Sequence, residues 1–437
     1  MLSQKLKEMG VVGAGGAGFP TYVKAGSQVE FMLANGAECE PLLHKDAELM
    51  HHFPAEILSG MQLMIQATGA RKGLFGLKDK NRQALQAIEP EARARNIDLV
   101  LLGDFYPSGD EYELVYTGTG RLIPPGGIPL QIGCVVNNVE TLYNVHYAQQ
   151  DIPVTRKFLS ISGAVREPKS FWVPVGTPFR DLIKSAGGAT VDEVGMFVSG
   201  IKMGTLSVDL DEVVTKTTAG LILLPRDHYL VVRKSQPQQA MNRIGKSACD
   251  QCSYCTEFCP RYLLGYEVQP HKVMRTLGFT LSGKENWNQW AELCCACGLC
   301  TLYACPEDLF PKEACDQAKS DMRAAGQKFV QQKPVRVHPM KDYRRVPLAM
   351  LRKRLKVEEY ESETPYDPID WQPAKVRLLL SQHVGKSASP VVQAGGRVKK
   401  NDCVATVDGK QLGVNIHASI GGVVTAVAET FIEIEAN

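Results

Sequence analysis

Ten of the chain's 13 cysteines lie between Cys249 and Cys315. Cys249, Cys252, Cys255 and Cys259 follow a Cys-x2-Cys-x2-Cys-x3-Cys-Pro spacing. In such a run three thiolates on a tight loop hold one [4Fe–4S] cube, and the fourth reaches a second cube. Cys294, Cys297, Cys300 and Cys305 repeat the run with one residue more before the last cysteine, near Tyr303-Ala304. Reciprocal ligation would put Cys249, Cys252, Cys255 and Cys305 on one cube and Cys294, Cys297, Cys300 and Cys259 on the other. Zinc also takes four thiolates, but two triple runs, each closed by Cys-Pro, over-supply a tetrahedral ion. The chemistry expected is single-electron transfer, tunable over roughly −700 to +450 mV. Cys295, next to Cys294, is expected not to ligate. Cys39, Cys134, Cys315 and Cys403 are expected to be small buried apolar residues.

Clustered cysteines in an odd total suit a reducing compartment better than disulfides do. The 437 residues carry 49 Lys+Arg against 47 Asp+Glu and are 44% hydrophobic, so the net charge of +2 argues against a dedicated nucleic-acid binder. No apolar run approaches the ~18 residues of a membrane span, and the start Met1–Met9 lacks the apolar core of a signal peptide. The length predicts several domains, and a cytoplasmic protein is expected.

A second set of residues with chemical potential opens the chain. Gly13-Ala14-Gly15-Gly16-Ala17-Gly18-Phe19-Pro20 contains a formal GxGxxG. A dinucleotide fingerprint must follow a strand and open a helix, and here only Val11-Val12 precede it, after a short amphipathic helix. What survives is a glycine loop whose backbone can approach a ligand and whose free N–H groups can cradle phosphate. Polar clusters then follow apolar runs at Asn35-Gly36-Ala37-Glu38-Cys39-Glu40-Pro41, at Tyr106-Pro107-Ser108-Gly109-Asp110-Glu111 and at Asn137-Asn138-Val139-Glu140-Thr141-Leu142. Such clusters at strand ends suit an α/β domain with a ligand beyond the carboxyl edge of its sheet.

These four segments together resemble the flavin and NADH site of the flavoprotein subunit of respiratory complex I, and more closely the C subunit of the Rnf electron-transport complex. The resemblance implies FMN contacts from Gly13, Gly15, Gly16, Gly18, Lys24, Asn137, Asn138 and Thr141. It implies Asn35, Glu38 and Asp110 around the isoalloxazine ring, and Phe19, Glu40 and Glu111 on the nicotinamide side. The chain departs from the complex I pattern at Ala37, where that motif is acidic, and at Asp110, where it has glutamate.

The elements that must position these groups divide into units at 1–150 (α/β, FMN and NADH), 151–235, 236–361 (helical, ferredoxin-like, two clusters) and 374–437. Lys157–Val165, the turn at Glu167-Pro168 and the helical stretch Phe179–Ala186 read as a small β-rich module, similar to the β-grasp SLBB module of both families. It is expected to dock flavin and cluster units, with a direct cobalamin contact as the functional option. The basic run Arg344–Lys356 reads as an amphipathic helix covering the cluster unit, and 362–373, with three prolines, as a linker. The last segment resembles a barrel-sandwich hybrid of the biotinyl/lipoyl type. Lys410 there lacks the context of a carrier lysine, and His417 is expected in a turn.

In the Rnf C subunit the barrel-like unit precedes the flavin domain, whereas here it comes last. That order resembles the cobalamin reductases of propanediol-utilisation microcompartments. The resemblance implies electrons passing from NADH through FMN and two [4Fe–4S] clusters to a corrinoid. It implies as partners a corrinoid adenosyltransferase and a shell protein inside a bacterial microcompartment. The competing expectations are an Rnf-type subunit and an electron carrier without an NADH site.

Overall fold

The computed structural model describes residues 1–278 and 288–436. Its first unit is a parallel sheet of β1 (Phe31–Gly36), β2 (Lys72–Lys78), β3 (Ile97–Leu102) and β5 (Cys134–Asn138), in the order β3-β2-β1-β5. The two-residue β4 (Phe105–Tyr106) stands apart from it. The strands are apolar runs without helical period, buried on one face by the helices Pro54–Thr68, Val139–Gln149 and Arg82–Ala94 and on the other by Glu111–Thr119. The chain winds outward from β1 to β3 and then crosses to β5 on the other side of β1. The crevice between the carboxyl ends of β1 and β5 is therefore the topological switch point, where sheets of this kind hold ligands.

The second unit is a five-stranded sheet of β6 (Arg156–Gly163), β7 (Lys169–Pro174), β8 (Val194–Val198), β9 (Thr205–Ser207) and β10 (Gly220–Pro225), in the order β7-β6-β10-β8-β9. One helix, Phe179–Ser185, packs on it through Phe179, Leu182 and Ile183. The cysteine segment folds as short helices and loops. The last unit is two small antiparallel sheets around a core of Val376, Leu378, Val404, Ile416, Val424 and Ile432.

Three expectations need correction. The segment 362–373 is a strap, pinned in place. Ser170 N donates to Pro365 O at 3.0 Å and Tyr366 N to the Glu48 carboxylate at 2.9 Å, while the Tyr366 ring packs on Phe53 and Phe158. His417 lies on a buried strand opposite Cys403, not in a turn, because Val414–Ile420 must supply the apolar side of the last core. Cys403 is exposed at the start of a strand whose next two residues, Val404 and Ala405, are both buried across an irregularity in register. The basic helix, Leu348–Leu355, buries Leu348, Leu351 and Leu355 against Leu302 of the cluster unit, as expected, but also against Tyr106 and Phe197 of the first two units. The preceding strand β11 (Val346–Pro347) pairs with β4.

Candidate functional site

The parallel register sets Ala34 beside Asn137 and Asn35 beside Asn138 at the switch point. The glycine loop lies over these strand ends. Ala14 N donates to Thr141 Oγ1 at 2.9 Å, and a Cβ on Gly15 would meet Asn138 at 3.2 Å. Gly13 and Gly18 close the loop, Gly18 N donating to Gly13 O at 3.2 Å. Gly16 has φ +111° with nothing within 4 Å of a notional Cβ, so its backbone faces open space in a conformation that side chains rarely adopt. Lys24 Nζ donates to Val136 O at 2.6 Å and lies over the Phe19 ring. Burial lowers its pKa against the opposing pull of Glu111.

Both side-chain polar atoms of Asn137 are buried without a partner, as are Thr21 Oγ1 and Ser108 Oγ. Unsatisfied buried polar groups are costly. Clustered around a glycine loop at a switch point, they fit a polar, phosphate-bearing ligand that would satisfy them. Gly15, Gly16, Lys24, Asn137, Asn138 and Thr141 are thus brought together. Asn35 joins them, its amide donating to Gly109 O at 2.9 Å.

The remaining residues have partners within the protein. Glu38 accepts from Asp46 N at 3.0 Å, and burial, then the Asp46 charge, pushes its pKa to about 8. Asp110 caps the helix Glu111–Thr119 and pairs with Arg261 at 3.0 Å. Glu40 accepts from Lys202 N and Met203 N at 3.0 and 2.9 Å. Gly200, with φ +125°, leaves the space that this carboxylate fills.

A buried ion network missed in the sequence supports the loop from below. Glu140, fully buried, pairs with Lys45 at 3.1 Å and with Lys157, and accepts from Phe158 N at 3.1 Å. Lys45 also pairs with Asp46, whose carboxylate receives the Asn138 amide at 2.8 Å. Lys157 donates to Ala14 O at 2.9 Å, so the second unit holds the glycine loop directly. The available signal was a charged residue set in or against an apolar run: Glu140 inside Val139–Leu142 and Lys157 at the head of Phe158–Ile161.

In the cysteine segment, Cys249, Cys252, Cys255 and Cys305 line one pocket together with His271, Met274 and Leu309. The thiols stand around a space, as a cube requires. Among the described residues no three His, Cys, Asp or Glu groups are placed to hold a single ion. Cys259, Cys294, Cys297 and Cys300 form a second group whose charges act on one another. Cys315 is fully buried beside Cys294, and Cys295 beside Cys297. The one-residue insertion before Cys305 is taken up in a widened helical turn over Cys300–Ala304.

Residues 6–147 match the Nuo51 FMN-binding domain, 158–199 the SLBB domain, 248–310 a 4Fe-4S dicluster domain and 351–437 the RnfC barrel sandwich hybrid domain. Over 435 residues the chain is 40% identical to the cobalamin reductase PduS of Salmonella typhimurium, covering 99% of this chain and 96% of that protein. The chain belongs to the cobalamin reductase PduS family. The Citrobacter freundii PduS is 38% identical over the same shares. The C subunit of the proton-translocating ferredoxin:NAD(+) oxidoreductase complex of Clostridium ljungdahlii is 32% identical over 264 residues, 59% of this chain and 55% of that protein. The expected architecture of FMN domain, β-grasp module, two-cluster unit and barrel-sandwich hybrid stands, and with it FMN and [4Fe–4S] clusters as cofactors. No helix among the described residues is long and apolar enough to cross a membrane.

Proposed function

We propose that this chain is an NADH-dependent cobalamin reductase, working beside a corrinoid adenosyltransferase and a shell protein in a propanediol-degrading microcompartment. The units at 1–150, 151–235, 236–361 and 374–437 would serve as flavin, docking, cluster and bracing parts. When bound, FMN would take electrons from NADH as a pair and release them singly to the clusters. The overall balance is NADH plus Co(III) giving NAD+, a proton and Co(I).

The observation that carries this reading is the contact between the two centres. Asp110, at the flavin crevice, pairs with Arg261, two residues from Cys259, and the Tyr106 hydroxyl donates to Cys297 O at 2.8 Å. The chain's own residues have defined tasks. Gly15, Gly16, Lys24, Asn137, Asn138 and Thr141 would hold phosphate and ribityl groups, Asn35 and Asp110 would border the ring, and the cysteines would hold the clusters as thiolates. Glu38, with its raised pKa, stays protonated at neutral pH and adds no charge beside the ring. Glu40 would act as a clasp between flavin and docking units, and the nicotinamide side would be left to Phe19 and Glu111.

Anaerobic protein reconstituted with iron, sulfide and FMN should lose flavin absorbance on NADH addition and then reduce hydroxocobalamin. Flavin that stays oxidised would leave only a carrier function. Flavin bleaching without cobalamin reduction would favour the Rnf-type role.

A further inference from the structure

Resting on that reading, we propose that the two cysteine sites work in a fixed order. The site of Cys259, Cys294, Cys297 and Cys300 receives electrons from the flavin crevice, and the site of Cys249, Cys252, Cys255 and Cys305 delivers them to the corrinoid at the surface around Cys252.

The contacts between the first unit and the cysteine segment cluster at one of the two sites. Tyr106 reaches Cys297 O, and Arg261, which follows Cys259-Pro260, pairs with Asp110 while its guanidinium packs 3.5 Å from the Tyr112 ring centroid. Tyr266 donates to Ile123 O at 2.7 Å, and its ring meets Tyr112 in the apolar cluster that also contains Cys259. The docking unit adds Lys202, buried, whose Nζ donates to Gly298 O at 3.0 Å and lies over the Tyr106 ring. Cys259, Cys297 and Cys300 are each 7% exposed, close to the 8% and 9% of Cys255 and Cys305, so what sets this site apart is its contacts with the other units.

The other site faces outward. Cys249 and Cys305 pack against Val273, Met274 and Leu309 of their own unit. Gln251 bonds Arg275 and Thr256 bonds His271, again within the unit. Cys252 is exposed, the four thiols line one pocket, and the neighbouring Tyr254 ring is 45% exposed. An amphipathic ring at such a mouth suits a large planar ligand with polar edges. Cys294 of the first site packs in the same apolar cluster as Cys249 and Cys305, so the two sites adjoin. Each transfer along this order moves one electron, and two transfers per NADH take cobalt from Co(III) to Co(I) with one proton released.

The test uses full-length reconstituted protein mixed with NADH, followed by flavin absorbance and freeze-quench EPR. C252S and C297S should each lose about half the iron, one cube of two. In C252S the remaining cluster should be reduced at the wild-type rate while hydroxocobalamin reduction is lost. In C297S the remaining cluster should be reduced at least about tenfold more slowly. Reduction of the remaining cluster at the wild-type rate in C297S, or full hydroxocobalamin reduction in C252S, would overturn the order. Because ligand variants can misfold, Y254E and Y106F give a second reading at full iron content. Y254E should raise KM for hydroxocobalamin, and Y106F should slow cluster reduction relative to flavin reduction; the reverse assignment of those effects would overturn the order. If wild-type flavin does not bleach, the NADH reading fails alone. Dithionite-reduced protein mixed with hydroxocobalamin then tests the exit separately: reoxidation in wild type but not in C252S supports it, and equal reoxidation overturns it.

Discussion

The flavin crevice and the cysteine segment solve opposite problems. The crevice gathers groups from four distant segments and fixes them before any ligand arrives. A parallel sheet aligns Asn35 with Asn138, and the fully buried pairs of Glu140 with Lys45 and Lys157 tie helix, glycine loop and docking unit together. The cysteine segment gathers its groups from neighbouring turns and has little regular structure to fix them. Burial pushes the Cys255 thiol up to about 12, so its ionisation, cluster binding and folding are coupled there. One centre is prepared by the protein; the other is completed by its metal.

The sharpest way to break that contrast is Glu140→Ala. It leaves Lys45 and Lys157 buried without their shared carboxylate, and removing one partner of a buried pair costs about 3 to 5 kcal/mol. Urea denaturation followed by tyrosine and tryptophan signals should show a loss of that size, while iron content per folded protein holds. A loss under about 1 kcal/mol would mean that the crevice does not depend on the network.

A smaller effect comes from the brace over the glycine loop. Val384 N of the last unit donates to Gly18 O at 3.0 Å, and Lys216 ties Gly10 O and Asn415 O at 2.8 and 3.0 Å. His417 is buried nearby with Nδ1 unpartnered; burial, then the Lys216 charge, pushes its pKa down to about 3. A histidine whose folded pKa lies below the unfolded 6.5 binds its proton more readily unfolded. Stability is therefore intact above pH 6.5 and falls as pH drops toward 3. By pH 4.5 the loss amounts to about 2 to 3 kcal/mol. The urea midpoint of wild type should fall over that window more steeply than that of His417→Phe. Parallel curves would remove the histidine from the account.

What could be read in the sequence follows the same division. Ligands on adjacent turns leave a spacing, so both cysteine runs were legible, Cys305 included as a candidate. The glycine loop and the strand-end polar clusters were legible as separate segments and joined only through a resemblance. Glu140, Lys45 and Lys157 left no spacing, because they meet through tertiary packing across 95 and 17 residues. Glu40 shows a related limit: its motif matches a nicotinamide-side position, and nothing in the motif encodes the loop at Lys202 and Met203, 162 residues on, that engages both of its oxygens. The strap at 362–373 has a linker's composition, yet backbone bonds to Ser170 set its path, and composition carries no information about those.

The finest test lies where the two centres meet. Lys202 belongs to the docking unit but buries its ammonium between Tyr106 and the Gly298 carbonyl, inside the loop that runs from Cys297 to Cys300. Burial lowers its pKa to about 8, so the group is mostly cationic at pH 7. A fixed positive charge there favours the added electron on the adjoining cluster. Lys202→Met keeps the length and apolar stem and removes the charge, so the midpoint potential of that cluster should fall by on the order of 50 mV. The cluster at Cys252, on the far side of its neighbour, should shift much less. Redox titration monitored by EPR reads both values in one sample. Equal shifts at the two clusters would mean that the lysine acts on the whole unit rather than on the junction. No shift at either would mean that water, not Lys202, sets the field at Cys297, and the docking unit would then serve only to hold Glu40.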